Sequence, residues 1–194
     1  MTDSMKLFSS LLVLFAVSVC SGSQLVEAVA VEQEEYAVYS AMIPLIYGAR
    51  HYVIANPTFY AGSPKSKDVI PFNLPGGPSA SQQTFDDFMR RNKSNGWLTR
   101  KLDLQAEYVL VDFAEIKTIA SFKPQDDWKE FHHKYPEAPG YITLSRVGFN
   151  ERRNQALVLT RFVCHPMCVE GVYVLLAKAG GAWKVVNTAR ASIS

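Results

Sequence analysis

The chain lacks four common catalytic signatures. It has no Gly-x-Ser-x-Gly elbow, no P-loop, no dinucleotide-binding glycine motif and no His-Glu-x-x-His zinc motif. That removes the usual grounds for a serine hydrolase, a nucleotide hydrolase, a nicotinamide-dependent enzyme or a zinc protease. Charge of one sign is also lacking: 20 Lys and Arg stand against 18 Asp and Glu, a net of +2. The basic pairs Arg90-Arg91, Arg100-Lys101 and Arg152-Arg153 are isolated between apolar segments. A nucleic-acid surface would need a clustered basic excess, so no nucleic-acid partner is expected. Nor does any apolar run reach the ~18 residues that a membrane-spanning helix requires.

Cysteine is scarce and unevenly placed, with three residues in the whole chain, Cys20, Cys164 and Cys168. Lys6 precedes an uncharged apolar run from Leu7 to Val19, the layout of a secretory signal and too short for a comfortable span. Two processing routes compete. Ala28-Val29-Ala30 offers small residues at signal-peptidase spacing, giving a signal over 1–30 and a single domain over 31–194. Alternatively Cys20, directly behind the run, is where a bacterial lipoprotein is cut and acylated, although Val19 stands where Gly, Ala or Ser is usual. The first route is preferred. Cys20 then belongs to the signal, and Cys164 and Cys168 remain as one pair in an oxidising compartment.

Apolar spacing predicts a helix over 32–47, with Tyr36, Tyr39, Ile43 and Ile46 on its stripe and Pro44 kinking or ending it. His51–Ala55 reads as a short strand. Residues 61–80 form a long Pro/Gly loop, of a length that is either functional or mobile. Thr84 with Asp87 resembles a capping box opening a helix with Phe85, Phe88 and Met89 on one side, stopped by Asn95-Gly96. Asn92-Lys93-Ser94 has the form of a glycosylation sequon. Leu104–Phe113 reads as a central strand, and Pro124 with Asp126 and Asp127 marks a further helix start. Tyr141–Phe149, Gln155–Val163, Val172–Lys178 and Trp183–Ala191 follow as strands on short connections. The expected fold is α+β: three helices on an antiparallel sheet that ends in a four-strand meander.

Placing Cys164 opposite Cys168 sets Thr160 against Val172, Leu159 against Tyr173, Val158 against Val174, Leu157 against Leu175 and Ala156 against Leu176. Both faces of this pair are apolar, so it should be central and covered on both sides. Gly180-Gly181 suits a tight turn and sets Leu176 opposite Val185 and Leu175 opposite Val186. A structural disulfide at Cys164 and Cys168 is the leading reading. Redox activity normally has two residues between the cysteines, and a metal site with His165 lacks an identified fourth ligand.

The run Ser145-Arg146-Val147-Gly148-Phe149-Asn150, then Gln155-Ala156-Leu157-Val158, Cys164-x-x-x-Cys168, Gly171-Val172-Tyr173-Val174-Leu175-Leu176 and Gly181-x-Trp183-Lys184-Val185 resembles the C-terminal half of an uncharacterised family of exported bacterial proteins. The resemblance covers about residues 141–194. It implies a bacterial exported protein and supplies no catalytic residues. His165 and Val169 stand where that family commonly has glycine. The Gly-x-Trp-Lys-Val strand also resembles the last strands of NTF2-like domains, which implies a curved sheet.

The nearest approach to a reactive cluster is Asp126, Glu130 and His133, spaced to share one helical face and able in principle to hold a metal or do acid–base work. A solvated face accounts for the same spacing. His132, beside Trp128, is read as a partly buried packing residue. The expectation is therefore an exported, non-enzymatic domain without a cofactor, binding a small ligand or an envelope protein. The alternatives are a metal-dependent or acid–base enzyme using Asp126, Glu130 and His133, and a thiol-disulfide protein. Any site is expected between sheet and helices or under the 61–80 loop.

Overall fold

The computed structural model describes residues 29–48, 50–59, 76–120 and 128–191. The fold is α+β, with four helices packed against a mixed seven-stranded sheet. In chain order the elements are β1 (Val29–Ala30), α1 (Gln33–Tyr47), β2 (Tyr52–Asn56), α2 (Gln82–Arg91), β3 (Gly96–Trp97), β4 (Tyr108–Asp112) and α3 (Phe113–Ile119). Then come α4 (Lys129–Lys134), β5 (Tyr141–Leu144), β6 (Gly148–Phe149), β7 (Gln155–His165), β8 (Cys168–Ala179) and β9 (Ala182–Ala191). The main sheet runs β4-β2-β5-β7-β8-β9, with β6 also on β7, and β1 pairs with β3 apart from it.

Only part of the sheet is antiparallel. β2 lies parallel to both β4 and β5, while β5, β7, β8 and β9 alternate in direction. The connections explain the difference. Helix-containing crossovers separate β2 from β4 and from β5, and parallel pairing needs such crossovers, whereas tight turns join β7, β8 and β9. The strand expected over 104–113 is correspondingly short and sits at the sheet edge, not its centre, with Val109 40% exposed. Its end turns directly into α3, which Asp112 caps by accepting from Ala114 N at 2.8 Å. No sequence signal had marked that helix.

The hairpin register holds from Ala156↔Leu176 through Thr160↔Val172. It shifts at Cys164, which lies outside the ladder as a bulge, so that His165 pairs with Cys168. A second bulge replaces the expected Leu175–Val186 pair: Leu176 faces Val185, but Leu175 faces Asn187. The strand expected over 141–149 is split into β5 and β6 by residues 145–147: Ser145 still bonds Leu159 of β7 through its N and hydroxyl, but the backbone N–H groups of Arg146 and Val147 go to Asn92 and Glu35.

The sheet is covered on both faces. On one face α1 seals a cluster containing Tyr36, Tyr39, Met42, Ile43, Ile142, Val158 and Val174. On the other face two clusters divide the sheet. Trp128, Phe131, Tyr141, Val53 and Val163 sit under α3 and α4, and Phe88, Leu157, Leu159, Tyr173 and Leu175 sit under α2. Packing of α1 overrides its proline. Pro44 lies inside the helix, which continues to Tyr47 and closes with Gly48 N donating to the Pro44 carbonyl at 2.9 Å. Six buried side chains on the sheet outweigh the one lost bond.

Helix α2 begins three residues before the expected box. Ser81 is the N-cap, its hydroxyl accepting from Thr84 N at 3.2 Å. Asp87 points elsewhere, accepting from Phe149 N at 2.8 Å and so tying α2 to β6. Asn92 is 1% exposed, with its amide donating to the carbonyls of Phe88 and Arg146, so the sequon is a buried structural residue. His132 is exposed, its ring edge-on to Phe131. Of the expected signal, only Val29–Ala30 falls within the described residues; Cys20 and most of the 61–80 loop do not.

Candidate functional site

The most buried charges in the described structure form a pin rather than a site. Glu35, in the first turn of α1, and Arg146, in the break between β5 and β6, are both essentially solvent-free. Arg146 donates from Nη2 to Glu35 Oε1 at 2.6 Å and from Nε to Oε2 at 2.9 Å. Val147 N donates to the same carboxylate at 3.0 Å, and Glu32 N at 3.2 Å. Asn92 Oδ1 accepts from Arg146 N, and Tyr39 OH donates to the Ser145 carbonyl at 2.7 Å. Burial, with Glu35 beside it, pushes the Tyr39 phenol well above its ordinary value. Every lone pair that matters is filled and nothing opens to solvent, so this network fixes α1, α2 and the β5–β6 break to one another.

A rim of ion pairs extends outward from it. Arg91 Nη1 meets Glu32 Oε1 at 2.8 Å, and Arg153 Nη2 meets Glu32 Oε2 at 2.6 Å. Burial works to raise the Glu32 carboxyl, but the bonds from Arg91 and Arg153 outweigh it and hold the group below its ordinary value. On the other side of α1, Glu34 accepts from Lys178 Nζ and Trp183 Nε1, each at 2.7 Å. The Lys178 bond is the chief reason its carboxyl is also lowered.

An accessible concave site lies at the opposite end of the sheet. A groove of about 220 Å³ is formed where β2 and β4 begin, walled by the 134–138 turn after α4. Val53 and Val109 form its floor, and Tyr135, Pro136 and Ala138 its wall. At the rim, His51 Nε2 lies 3.4 Å from Glu107 Oε2, and its Nδ1 contacts Glu137 Oε2. Lys134, the cation among the lining residues, is already engaged: its Nζ lies 2.5 Å from Glu115 Oε1, which also accepts from Tyr135 OH at 3.2 Å. That pairing with Lys134 lowers the Glu115 carboxyl. Glu107 and Glu137 thus bring two carboxylates to the rim around one imidazole.

The residues singled out in the sequence fall elsewhere. Glu130 and His133 are both exposed on α4, which begins at Lys129, and Asp126 lies outside the described residues. Among the described residues no group of three His, Cys, Asp or Glu side chains is placed to hold a metal. Cys164 and Cys168 are joined in a disulfide with Cα atoms 5.3 Å apart, at the tip of the β7–β8 hairpin. Sequence reading missed the groove because its rim comes from three separated segments; His51 next to a strand start was the only local signal. No helix among the described residues is long and apolar enough to cross a membrane.

No family model matches the chain, and neither the curated proteins nor the solved structures provide a match.

Proposed function

We propose that the chain is an exported, non-catalytic binding domain whose ligand site is the groove between β2, β4 and the 134–138 turn. Export is supported by the Lys6–Val19 run and by a disulfide of the kind that persists in oxidising compartments. The resemblance of residues 141–194 to exported bacterial proteins points the same way.

The observation that carries the binding reading is the pairing of an apolar floor with a negative rim at a sheet edge. Val109, 40% exposed, provides a surface for an aliphatic stem beside Tyr135, and Glu107 and Glu137 provide a counter-charge at its end. The matching ligand is a basic group on a short apolar stem, as on a lysine or arginine side chain. Because β4 is the last strand of the sheet, an extended basic peptide lying along it would gain backbone pairing as well.

The test is titration of isotope-labelled protein with blocked lysine and arginine tripeptides, and with a blocked glutamate tripeptide as control. Saturable amide shifts at Val53, Val109 and Ala138 are expected with the basic peptides alone. Equal response to all three, or none, would overturn the reading.

A further inference from the structure

Two buried side-chain atoms among the described residues have no hydrogen-bond partner, Thr143 Oγ1 and Arg161 Nε. They are direct cross-strand neighbours, Thr143 on β5 facing Arg161 on β7, and share the sheet face that carries both α2 and α4. Their row lies in the seam between the two clusters on that face. It continues through Gly171 on β8 to Ala191 on β9, so the guanidinium's neighbours across the sheet are small. Arg161 is half-buried, so its guanidinium is reachable from the surface, whereas Thr143 is only 8% exposed.

Unsatisfied buried polar atoms are rare because each forfeits its bonds to water, and two on directly paired residues of one face ask for a common explanation. No described carboxylate faces Arg161. Its Cζ stands 4.6 Å from the centroid of the Phe59 ring, which the Phe59 N to Leu144 carbonyl bond (3.0 Å) holds over β5. Burial lowers the guanidinium from its ordinary value, and the nearby Tyr173 phenol only partly offsets this. A guanidinium stacked on one face and free along its edge presents a planar fork to a carboxylate or phosphate oxygen.

The geometry points to an oxyanion-binding site in this seam, with Arg161 and Thr143 as donors to a carboxylate or phosphate group. It is separate from the groove at β2 and β4 and opposite to it in charge preference. The fork of Arg161 would take two oxygens, the Thr143 hydroxyl would add a third donor, and Phe59 would cover the guanidinium from above.

The experiment is titration of the full chain with inorganic phosphate and, separately, with acetate, reading the Arg161 Nε–H resonance and the backbone amides of Thr143 and Gly171. At least one probe should give saturable shifts, and which one responds identifies the oxyanion. Arg161→Met should abolish them, Thr143→Val should weaken them about tenfold, and Arg161→Lys should retain weak binding while preserving the spectrum of the rest of the fold. Asp68, the one acidic residue in the sequence between Phe59 and Gly76, is the competing occupant. Shifts that appear only in Asp68→Asn would show an internal ion pair and overturn the proposal. So would shifts that survive Arg161→Met, or their absence with both probes.

Discussion

Replacing Arg146 by methionine should be among the most damaging single changes in the protein. The substitution keeps an unbranched side chain in place but leaves Glu35 in a solvent-free site without its cation. The carboxylate would retain bonds from Val147 N and Glu32 N, while Arg91 Nη1, at 3.5 Å, is too distant to replace two bonds of 2.6 and 2.9 Å. Stranding one partner of a buried pair costs about 3–5 kcal/mol, against a total stability of about 5–15 kcal/mol. At ~2–4 °C per kcal/mol for a chain of this size, the midpoint should fall by roughly 6–20 °C. Urea denaturation of Arg146→Met, Glu35→Leu and the double variant measures this directly. The double variant removes both charges and should be at least ~2 kcal/mol more stable than the sum of the single losses implies. A single-variant loss below ~1 kcal/mol, or strict additivity, would refute the claim that this pair pins the helices to the sheet break.

Gly148→Ala should cost at least ~1–3 kcal/mol, because its Cβ would meet the backbone of Phe88 where α2 crosses β6; thermal unfolding reads the loss. Cys164→Ser should cost about 2 kcal/mol on the loop-entropy account of so short a bridge, with the β7–β8 register unchanged in amide exchange. Glu34 has a folded-state pKa below its ordinary 4.5, so its stabilisation is fully present above that value and is lost as pH falls through the folded value. Acid titration of stability below pH ~4.5 should therefore be shallower in Glu34→Gln than in the parent. N-terminal sequencing of exported protein should find cleavage after Ala30, which among the described residues removes the Val29–Ala30 pairing with Gly96–Trp97 and keeps the buried Val31.

The C-terminal half was legible because its information is local. Alternating apolar residues and tight turns fix β7, β8 and β9, and six predicted cross-strand pairs hold. The two slips, at Cys164 and Val186, are bulges, which insert a residue without altering the apolar pattern that a register argument reads. The parallel half was not legible in the same way. Nothing local in Tyr52–Asn56 or Tyr108–Asp112 says that they pair with each other, and the short edge strand looked central because four of its residues are apolar or aromatic. The pin was hidden for a different reason. Glu35 sits in a run of glutamates that reads as a solvated helix start, and Arg146 is 111 residues away. The groove has the same character, since His51, Glu107 and Glu137 meet only after the crossovers are made. The helix spacing that joined Glu130 and His133, by contrast, described an exposed face of α4.

In the proposed function, the groove at the sheet edge binds a basic group through Glu107 and Glu137. Its most direct measurement is the affinity of a blocked lysine tripeptide for the parent protein and for Glu107→Gln/Glu137→Gln, followed by amide shifts at Val53, Val109 and Ala138. Saturable binding is expected in the parent, weakened at least ~tenfold by the double substitution, or about 1.4 kcal/mol. Binding of equal strength in the two proteins would contradict it, as would shifts confined to other surfaces.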